Sequence, residues 1–238
     1  VIVANGDNEN VREVCKSAYS QVIFYGKNSG NKFTFKINAS DSNFSVTIFD
    51  DQKEVISIPV EFTLEGLAYN LTAAYIASVY SGLDVAELRN SFRSFKGVKR
   101  RLEVISEKNG FLVIDDFAHH PTAVEITINA VKKKYMKRPL VAVFEPRSNT
   151  SIRTIFTEEY KNAFADADQI YLAPAFKKNR FNNCDLLPVD EICKYLISTG
   201  KIAETAEDQE LLFEKIKQNL PEGAVILLMS NGSFEPFK

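Results

Sequence analysis

The residue types best suited to chemistry lie in three polar clusters, each of which directly follows an apolar run. The clusters are Asp115-Asp-Phe-Ala-His-His120, Glu145-Pro-Arg-Ser-Asn-Thr150 and Ser230-Asn-Gly-Ser233. Their carboxylates, imidazoles, hydroxyls and arginine fork can bind anions and carry protons. Continuous apolar runs are typical of buried strands in a parallel sheet, where ligands bind beyond the carboxyl ends. We therefore expect the three clusters to converge on one site.

The elements that would position these clusters alternate between strands and helices. Pro121 suits a first helical turn, and Val124, Ile128, Val131 and Tyr135 then recur on one helical face. The remaining segments of this part of the chain read in order as strand 140–144, helix 152–164, strand 170–173, helix 189–197, helix 212–220 and strand 224–229. This alternation predicts an α/β fold whose parallel sheet is covered by helices on both faces.

The first part of the chain has a different pattern. Three short alternating stretches, Phe33–Ile37, Phe44–Phe49 and Val55–Ile58, predict an antiparallel meander. A helix over Glu65–Gly82 and a second helix capped by Asp84 should follow. Because Ser94–Arg101 is polar and contains glycine, we place the boundary there and expect two domains, residues 1–95 and 96–238.

Composition excludes several classes of protein. The 238 residues include 29 basic and 31 acidic side chains, and this balance argues against a nucleic-acid-binding protein. No apolar run reaches the roughly 18–20 residues of a membrane span. The three cysteines lack metal-like spacing, so we expect no resident metal site, a reducing environment and a cytoplasmic location. Since the sequence from Val1 reads as a buried strand, we also expect the chain to be part of a longer protein.

Several motifs, in their order along the chain, resemble those of a known family. Gly97-Val-Lys-Arg-Arg-Leu-Glu103, followed by Asp115-Asp-Phe-Ala-His-His-Pro-Thr122, resembles the Mur ligases, the ATP-dependent enzymes that build the peptidoglycan peptide. The His-His-Pro-Thr segment is similar to the branch that uses UDP-N-acetylmuramate. Phe144–Thr150 and Met229–Phe234 are similar to the members that attach the recycled murein tripeptide L-alanyl-γ-D-glutamyl-meso-diaminopimelate.

The resemblance implies a domain organisation. Residues 1–95 would be the back half of the central ATP-binding domain, and residues 96–238 the Rossmann-like C-terminal domain. The phosphate-binding loop of the central domain is missing, since Gly26–Lys32 lacks the spacing Gly-x-x-x-x-Gly-Lys-Ser/Thr. We therefore expect the isolated chain to be inactive.

The resemblance also assigns nucleotide-binding residues. Asn70 matches an asparagine that contacts adenine, Arg101 an arginine that reaches the ATP phosphates, and Asp116 an acid that takes the ribose hydroxyls. At Gly66 and Leu67 the chain departs from the family's histidine and asparagine, which puts full ATPase competence in question. A local alternative for Asn70 is capping of a neighbouring loop. For Lys96, Lys99 and Arg100 we favour a solvated linker.

The remaining candidates concern catalysis and the peptide. With Arg101, His119 and His120 are the catalytic candidates, and their alternative is a helix cap plus a core contact. The peptide-binding candidates are Arg147, Ser148, Asn149, Thr150, Ser230, Asn231 and Ser233. The alternative for Arg147 is an ion pair with Glu145. Cys193 lies on an apolar helical face and is expected in the core.

The reaction implied by the resemblance uses ATP and Mg²⁺ to join the tripeptide to UDP-N-acetylmuramate through an acyl-phosphate. Two alternatives stay open. One is a ligase that adds L-alanine to the same sugar nucleotide, and the other is a non-catalytic module that binds a nucleotide or a peptide.

Overall fold

The computed structural model describes residues 1–40, 43–175, 186–232 and 234 of the chain. They divide into two compact units, Val1–Lys96 and Gly97–Lys238. Each unit has its own sheet.

The first unit contains a five-stranded sheet whose strands follow chain order. They are β1 (Ile2–Asn5), β2 (Val22–Gly26), β3 (Phe33–Ser40), β4 (Asn43–Asp50) and β5 (Lys53–Val60). β1, β2 and β3 run parallel to one another, whereas β3, β4 and β5 are antiparallel. The predicted meander is confirmed, but β2 and the parallel pairing were not predicted.

Three helices belong to this unit: α1 (Glu9–Cys15), α2 (Glu65–Tyr80) and α3 (Val85–Ser94). The core of the unit lies between α2 and the sheet, where Ala68, Tyr75 and Ile76 pack among the alternate residues of the meander strands. Asp84 caps α3 as predicted, because its carboxylate accepts hydrogen bonds from the backbone N–H groups of Ala86 (2.8 Å) and Glu87 (3.3 Å).

The second unit contains a six-stranded sheet in the order β10-β9-β8-β11-β7-β6. Its strands are β6 (Glu103–Lys108), β7 (Phe111–Asp116), β8 (Leu140–Phe144), β9 (Gln169–Leu172), β10 (Ile202–Thr205) and β11 (Val225–Met229). All are parallel except β6, which pairs antiparallel with β7 at one edge. The last of the described strands, β11, therefore lies between β7 and β8.

Helices cover both faces of this sheet, as predicted. They are α4 (Pro121–Lys134), α5 (Thr157–Ala163) after a short 3-10 turn (Thr154–Phe156), α6 (Val189–Ser198) and α7 (Gln209–Asn219). Phe144 packs against Tyr160 and Phe164, with ring centroids 5.1 and 5.7 Å apart. On the other face Leu212 and Ile216 of α7 pack in one core cluster with Val141 and Val143.

One detail differs from the sequence prediction. The helix expected from Ile152 begins only at the turn before α5, because Ser148 and Ser151 form a hydroxyl-linked turn and Arg153 bridges to Leu186. Ile197, near the end of α6, is 54% exposed. Cys193 is buried as expected, and burial raises the pKa of its thiol to about 12, which leaves it unreactive.

Candidate functional site

The three polar clusters lie at one edge of the second sheet, because the strands that carry them are parallel neighbours. In the ladder Met229 pairs with both Asp116 and Phe144, so β7, β11 and β8 end at the same level. The hydrogen bonds continue past the strand ends, from Ser230 N to Asp116 O (3.2 Å) and from Glu145 N to Met229 O (3.0 Å). This edge is where ligands bind in open parallel sheets.

Glu145 is the buried centre of this edge. Only 1% of the residue is exposed, and its carboxylate accepts hydrogen bonds from Ser230 Oγ (2.5 Å) and from Gln209 Nε2. Arg147 Nη1 lies 3.7 Å from Oε1 of the same carboxylate. From the sequence, Glu145 was predicted only as a member of the second polar cluster and as a partner for Arg147, and Gln209 was not predicted at all. Only the position of Glu145 directly after a strand gave a signal.

The structure contradicts the prediction for Ser230. We expected it to face the peptide, but it is fully buried. Its hydroxyl donates to Glu145 and accepts from the backbone N–H of Gly232 (2.8 Å). The serine therefore holds the loop that follows β11 instead of contacting a ligand.

The other predicted peptide-binding residues have mixed surroundings. Arg147 keeps about a third of its side chain exposed while it approaches Glu145, the ion pair that we considered as its alternative. The hydroxyl of Ser148 lies 2.8 Å from that of Ser151 and shapes the local turn, whereas Asn149 and Thr150 are exposed.

Asn231 is half-buried, and within the described part of the chain its buried Oδ1 has no hydrogen-bond donor. Ser233 lies outside the described residues.

The structure also contradicts the prediction for Arg100, which is not part of a solvated linker. Its Nη2 donates to the carbonyl oxygens of Ser230 and Gly232, the latter at 2.6 Å. Its Nε lies 3.4 Å from Asp115 Oδ2. Arg100 thus connects the segment before β6 to the loop after β11. Lys96 and Lys99 are exposed, as expected.

Arg101 is more exposed than Arg100, although both lie near Phe117. It is exposed, and its guanidinium carbon lies 5.4 Å from the ring centroid of Phe117, while that of Arg100 lies at 5.2 Å. Because Arg100 lies beside the carboxylate of Asp115, the exposed guanidinium of Arg101 is the one that faces solvent at the end of β7. A guanidinium group suits an anionic ligand such as a phosphate.

Asp116 holds the backbone that presents these arginines. Its carboxylate is 4% exposed and accepts from the N–H groups of Leu102 (2.8 Å) and Ala118 (2.8 Å), with Thr127 Oγ1 at 3.4 Å. Burial raises the pKa of Asp116, although the two backbone hydrogen bonds oppose that shift. The fixed backbone includes Arg100 and Leu102, both with left-handed φ angles, 58° and 52°.

The two histidines start α4 in different environments. His119 is half-buried with Nδ1 2.9 Å from the carbonyl oxygen of Phe117. Because a carbonyl oxygen only accepts, Nδ1 carries the proton, and in the neutral ring Nε2 is then the acceptor. His120 is the N-cap residue but makes no capping hydrogen bond through its side chain; its ring is exposed and packs 4.7 Å from that of Phe156.

In the first unit Asn70 lies exposed on α2. A polar cluster that was not predicted lies at the end of β1 in the same unit. Asp7 there accepts hydrogen bonds from Tyr69 Oη (2.6 Å), Asn31 Nδ2 (2.9 Å) and the N–H groups of Lys27 and Asn28. The cluster connects β1, the turn after β2 and the start of α2. A single aspartate in a polar loop gave no sequence signal for this role.

Two negative findings concern the described residues only. They contain no group of three histidine, cysteine, aspartate or glutamate side chains that would hold a metal ion. They also contain no helix long and apolar enough to cross a membrane.

Comparison with known proteins identifies the family of this chain. Residues 100–232 match the sequence model described as "Mur ligase, glutamate ligase domain". The chain belongs to the Mur ligase family. This confirms the resemblance seen in the motifs, and the matched part of this Mur ligase chain contains all three polar clusters apart from Ser233.

Curated relatives of this Mur ligase chain include two bacterial proteins named UDP-N-acetylmuramate–L-alanine ligase. That of Endomicrobium trichonymphae is 28% identical over 228 residues, which cover 95% of this chain and 49% of the relative. That of Hydrogenobaculum sp. is 27% identical over 234 residues, covering 97% and 50%. The chain therefore spans about half the length of the curated relatives it matches.

Solved structures give the same picture of the fold. The UDP-N-acetylmuramate–alanine ligase of Thermotoga maritima superposes with a TM-score of 0.78 at 18% identity, covering 99% of this chain and 49% of that one. A murein peptide ligase of Psychrobacter arcticus superposes with a TM-score of 0.64 at 25% identity and the same coverage. These neighbours confirm the α/β fold that the sequence predicted.

Proposed function

We propose that this chain is the second half of an ATP-dependent ligase that joins the murein tripeptide L-alanyl-γ-D-glutamyl-meso-diaminopimelate to UDP-N-acetylmuramate. The observation that carries the proposal is the common edge of β7, β11 and β8, where the exposed Arg101 lies over Phe117 and Arg147 is about one third exposed. In this proposal residues 1–95 belong to the ATP-binding domain and residues 96–238 form the C-terminal domain.

The proposed reaction has two steps. The terminal phosphoryl group of ATP passes to the lactyl carboxylate of the sugar, which gives an acyl-phosphate and ADP. The amine of the tripeptide then attacks the carbonyl carbon, phosphate leaves, and the nitrogen loses a proton. The residues of this chain orient the reactants and neutralise charge.

On the nucleotide side, Arg101 would offset the charge that spreads over the phosphoryl oxygens. Asn70 would contact the adenine edge, since an amide both donates and accepts. Asp116 would accept from the ribose through the acceptor capacity left by Leu102, Ala118 and Thr127.

On the peptide side, Arg147 presents a planar fork that suits a carboxylate, and the tripeptide carries several. Asn149, Thr150, Asn231 and Ser233 would complete the contacts, and Ser148 would shape the loop. His119 has the tautomer that leaves Nε2 able to take the proton of the attacking amine, and His120 would border this region.

Mg²⁺ normally accompanies ATP in phosphoryl transfer. The described residues do not fit a protein cage for it, since no three candidate ligands cluster. Gly66 also stands where the family has a histidine near the metal. We therefore assign no step to Mg²⁺ on residues of this chain.

A second candidate is the ligation of L-alanine to the same sugar nucleotide. It is favoured by the names of the curated relatives, which are 26–29% identical to this chain. The acceptors differ in a way that the site should sense, because L-alanine carries one carboxylate next to its amine whereas the tripeptide carries others far from it.

The test compares acceptors in the full-length ligase. Product mass and ADP release are measured with UDP-N-acetylmuramate and ATP, plus either L-alanine or the tripeptide. We expect kcat/KM for the tripeptide to exceed that for L-alanine by at least about a hundredfold. The reverse ratio would establish the second candidate. Nucleotide binding without product from either acceptor would favour a non-catalytic module.

A further inference from the structure

The side chain of Arg147 lies so close to Gly232 that a Cβ atom at position 232 would clash with it. A Cβ atom built on Gly232 would lie 2.3 Å from Arg147 Cδ and 2.6 Å from both Nε and Nη1. All three distances are well below van der Waals contact. The side chain of Arg147 therefore occupies the space that a Cβ on residue 232 would fill.

The backbone of Gly232 cannot easily retreat from this contact, because it is held on both sides. Its N–H donates to Ser230 Oγ (2.8 Å), and its carbonyl oxygen accepts from Arg100 Nη2 (2.6 Å). Ser230 is itself fully buried against Glu145. An added Cβ would thus displace Arg147, whose side chain is flexible and about one third exposed.

The conformation of Gly232 does not itself require glycine. Its φ is not among the positive values found at six other glycines of the described chain. Alanine fits such a backbone without strain. What glycine provides at this position is room for the arginine.

Displacement would change where the guanidinium group points. Among the described residues, Glu145 approaches it with Oε1 3.7 Å from Nη1. Because Glu145 is buried and bonded to Ser230 and Gln209, it stays in place when Arg147 moves. The contact with Glu145 and the lack of a side chain at position 232 together determine where the guanidinium group of Arg147 lies.

We infer that Gly232 is a positioning residue that sets the acceptor specificity of the site, by keeping Arg147 aimed at a carboxylate of the incoming peptide. The inference rests on the proposed function, since it takes Arg147 to bind the acceptor. It adds that the size of residue 232 determines which acceptors are used: a side chain there turns the fork away and penalises only acceptors whose carboxylate it binds.

The test is a double-mutant cycle in the full-length ligase with Gly232→Ala, Arg147→Ala and the double variant. We expect Gly232→Ala to raise the KM for the tripeptide about tenfold or more, with kcat and the ATP KM within about twofold. Adding Gly232→Ala to Arg147→Ala should have no further effect, because the arginine that it displaces is gone. Gly30→Ala is the matched control, since a Cβ there meets nothing within 4 Å.

Thermal unfolding and NMR of the Arg147 side chain distinguish a failure of this inference from a failure of the proposed function. Additive effects of the two substitutions, or a lowered Tm with an unchanged tripeptide KM, would overturn the inference. If the wild-type ligase makes no product from the tripeptide, the proposed function fails, and the ¹⁵N–¹H signal of Arg147 Nε still tests the geometry. That signal must shift in Gly232→Ala and not in Gly30→Ala; an unchanged signal would refute the displacement whatever the reaction is.

Discussion

Arg100 and Arg101 are adjacent in the chain and both lie near the ring of Phe117, yet they differ in their hydrogen bonds and exposure. Arg100 reaches two carbonyl oxygens of the loop after β11 and the buried carboxylate of Asp115, whereas Arg101 remains exposed over Phe117. Arg100 lies in a turn and has a left-handed φ of 58°, so the two side chains do not simply alternate as they would along a strand.

The two arginines should therefore respond differently to truncation. Arg100→Ala should lower the free energy of unfolding by about 2–3 kcal/mol, because charged hydrogen bonds are lost and Asp115 loses a partner. Arg101→Ala should change stability by less than about 0.5 kcal/mol but raise the ATP KM roughly tenfold. Urea unfolding and ATP kinetics on both variants check this. Equal stability losses would contradict the assignment.

Arg147 offers a second comparison at this scale. Arg147→Lys keeps the charge but loses the planar fork, so tripeptide KM should rise about tenfold while the ATP KM stays within twofold. Steady-state kinetics with each substrate varied in turn provide the measurement. If the arginine served only to pair with Glu145, the variant would instead lower Tm and leave the acceptor kinetics alone.

The pairing of Arg147 with Glu145 could be predicted because the two residues lie two positions apart. The role of Arg100 could not, since its partners Ser230 and Gly232 follow 130 and 132 residues later in the chain. That contact depends on β11 inserting between β7 and β8, and the order of strands in a sheet leaves no local pattern. The burial of Ser230 was missed for the same reason.

At the scale of elements, the apolar runs predicted the parallel strands β7, β8, β9 and β11 well, because each is buried on both faces. Edge strands such as β6 and β10 were missed, since their polar and exposed residues do not form such runs. The Asp7 cluster shows a further limit. One aspartate joins the ends of β1 and β2 to α2 through four hydrogen bonds, and only the tertiary fold brings those donors together.

Asp7→Asn should destabilise the first unit, because an amide cannot accept from four donors. We expect a loss of about 2–4 kcal/mol at pH 7, and a smaller loss in Tyr69→Phe, which removes one of the four. Burial raises the pKa of Asp7, but hydrogen bonds from Tyr69 and the backbone outweigh it, so the pKa in the folded state is lower than usual.

The sign of the pH dependence follows from that lowered pKa. The stabilisation is fully present above the ordinary aspartate pKa of about 4 and is lost as the pH falls through the folded value. The difference in unfolding free energy between wild type and Asp7→Asn should therefore narrow on acidification. Urea unfolding at pH 7 and at about pH 3 measures it, and a constant difference would contradict the role of the carboxylate.

At the scale of the whole molecule, the chain spans about half the length of the curated relatives it matches. Its sequence contains no segment with the spacing of a phosphate-binding loop. We predict that these 238 residues alone form no product from UDP-N-acetylmuramate, tripeptide and ATP, because ATP and the sugar would not be aligned. Mass spectrometry of the reaction mixture tests this, with the full-length ligase as the positive control. Product from the isolated chain would refute it.

The edges of the two sheets differ in how well they resist self-association. β5 carries Lys53, Glu54 and Pro59, and the charged strands β6 and β10 close the second sheet. β1, at the open edge of the first sheet, reads Ile-Val-Ala-Asn with no charge and pairs, among the described strands, with β2 alone. Unprotected edges recruit strands from other chains. The isolated chain should therefore aggregate as its concentration rises, and Ile2→Lys should keep it monodisperse in light scattering.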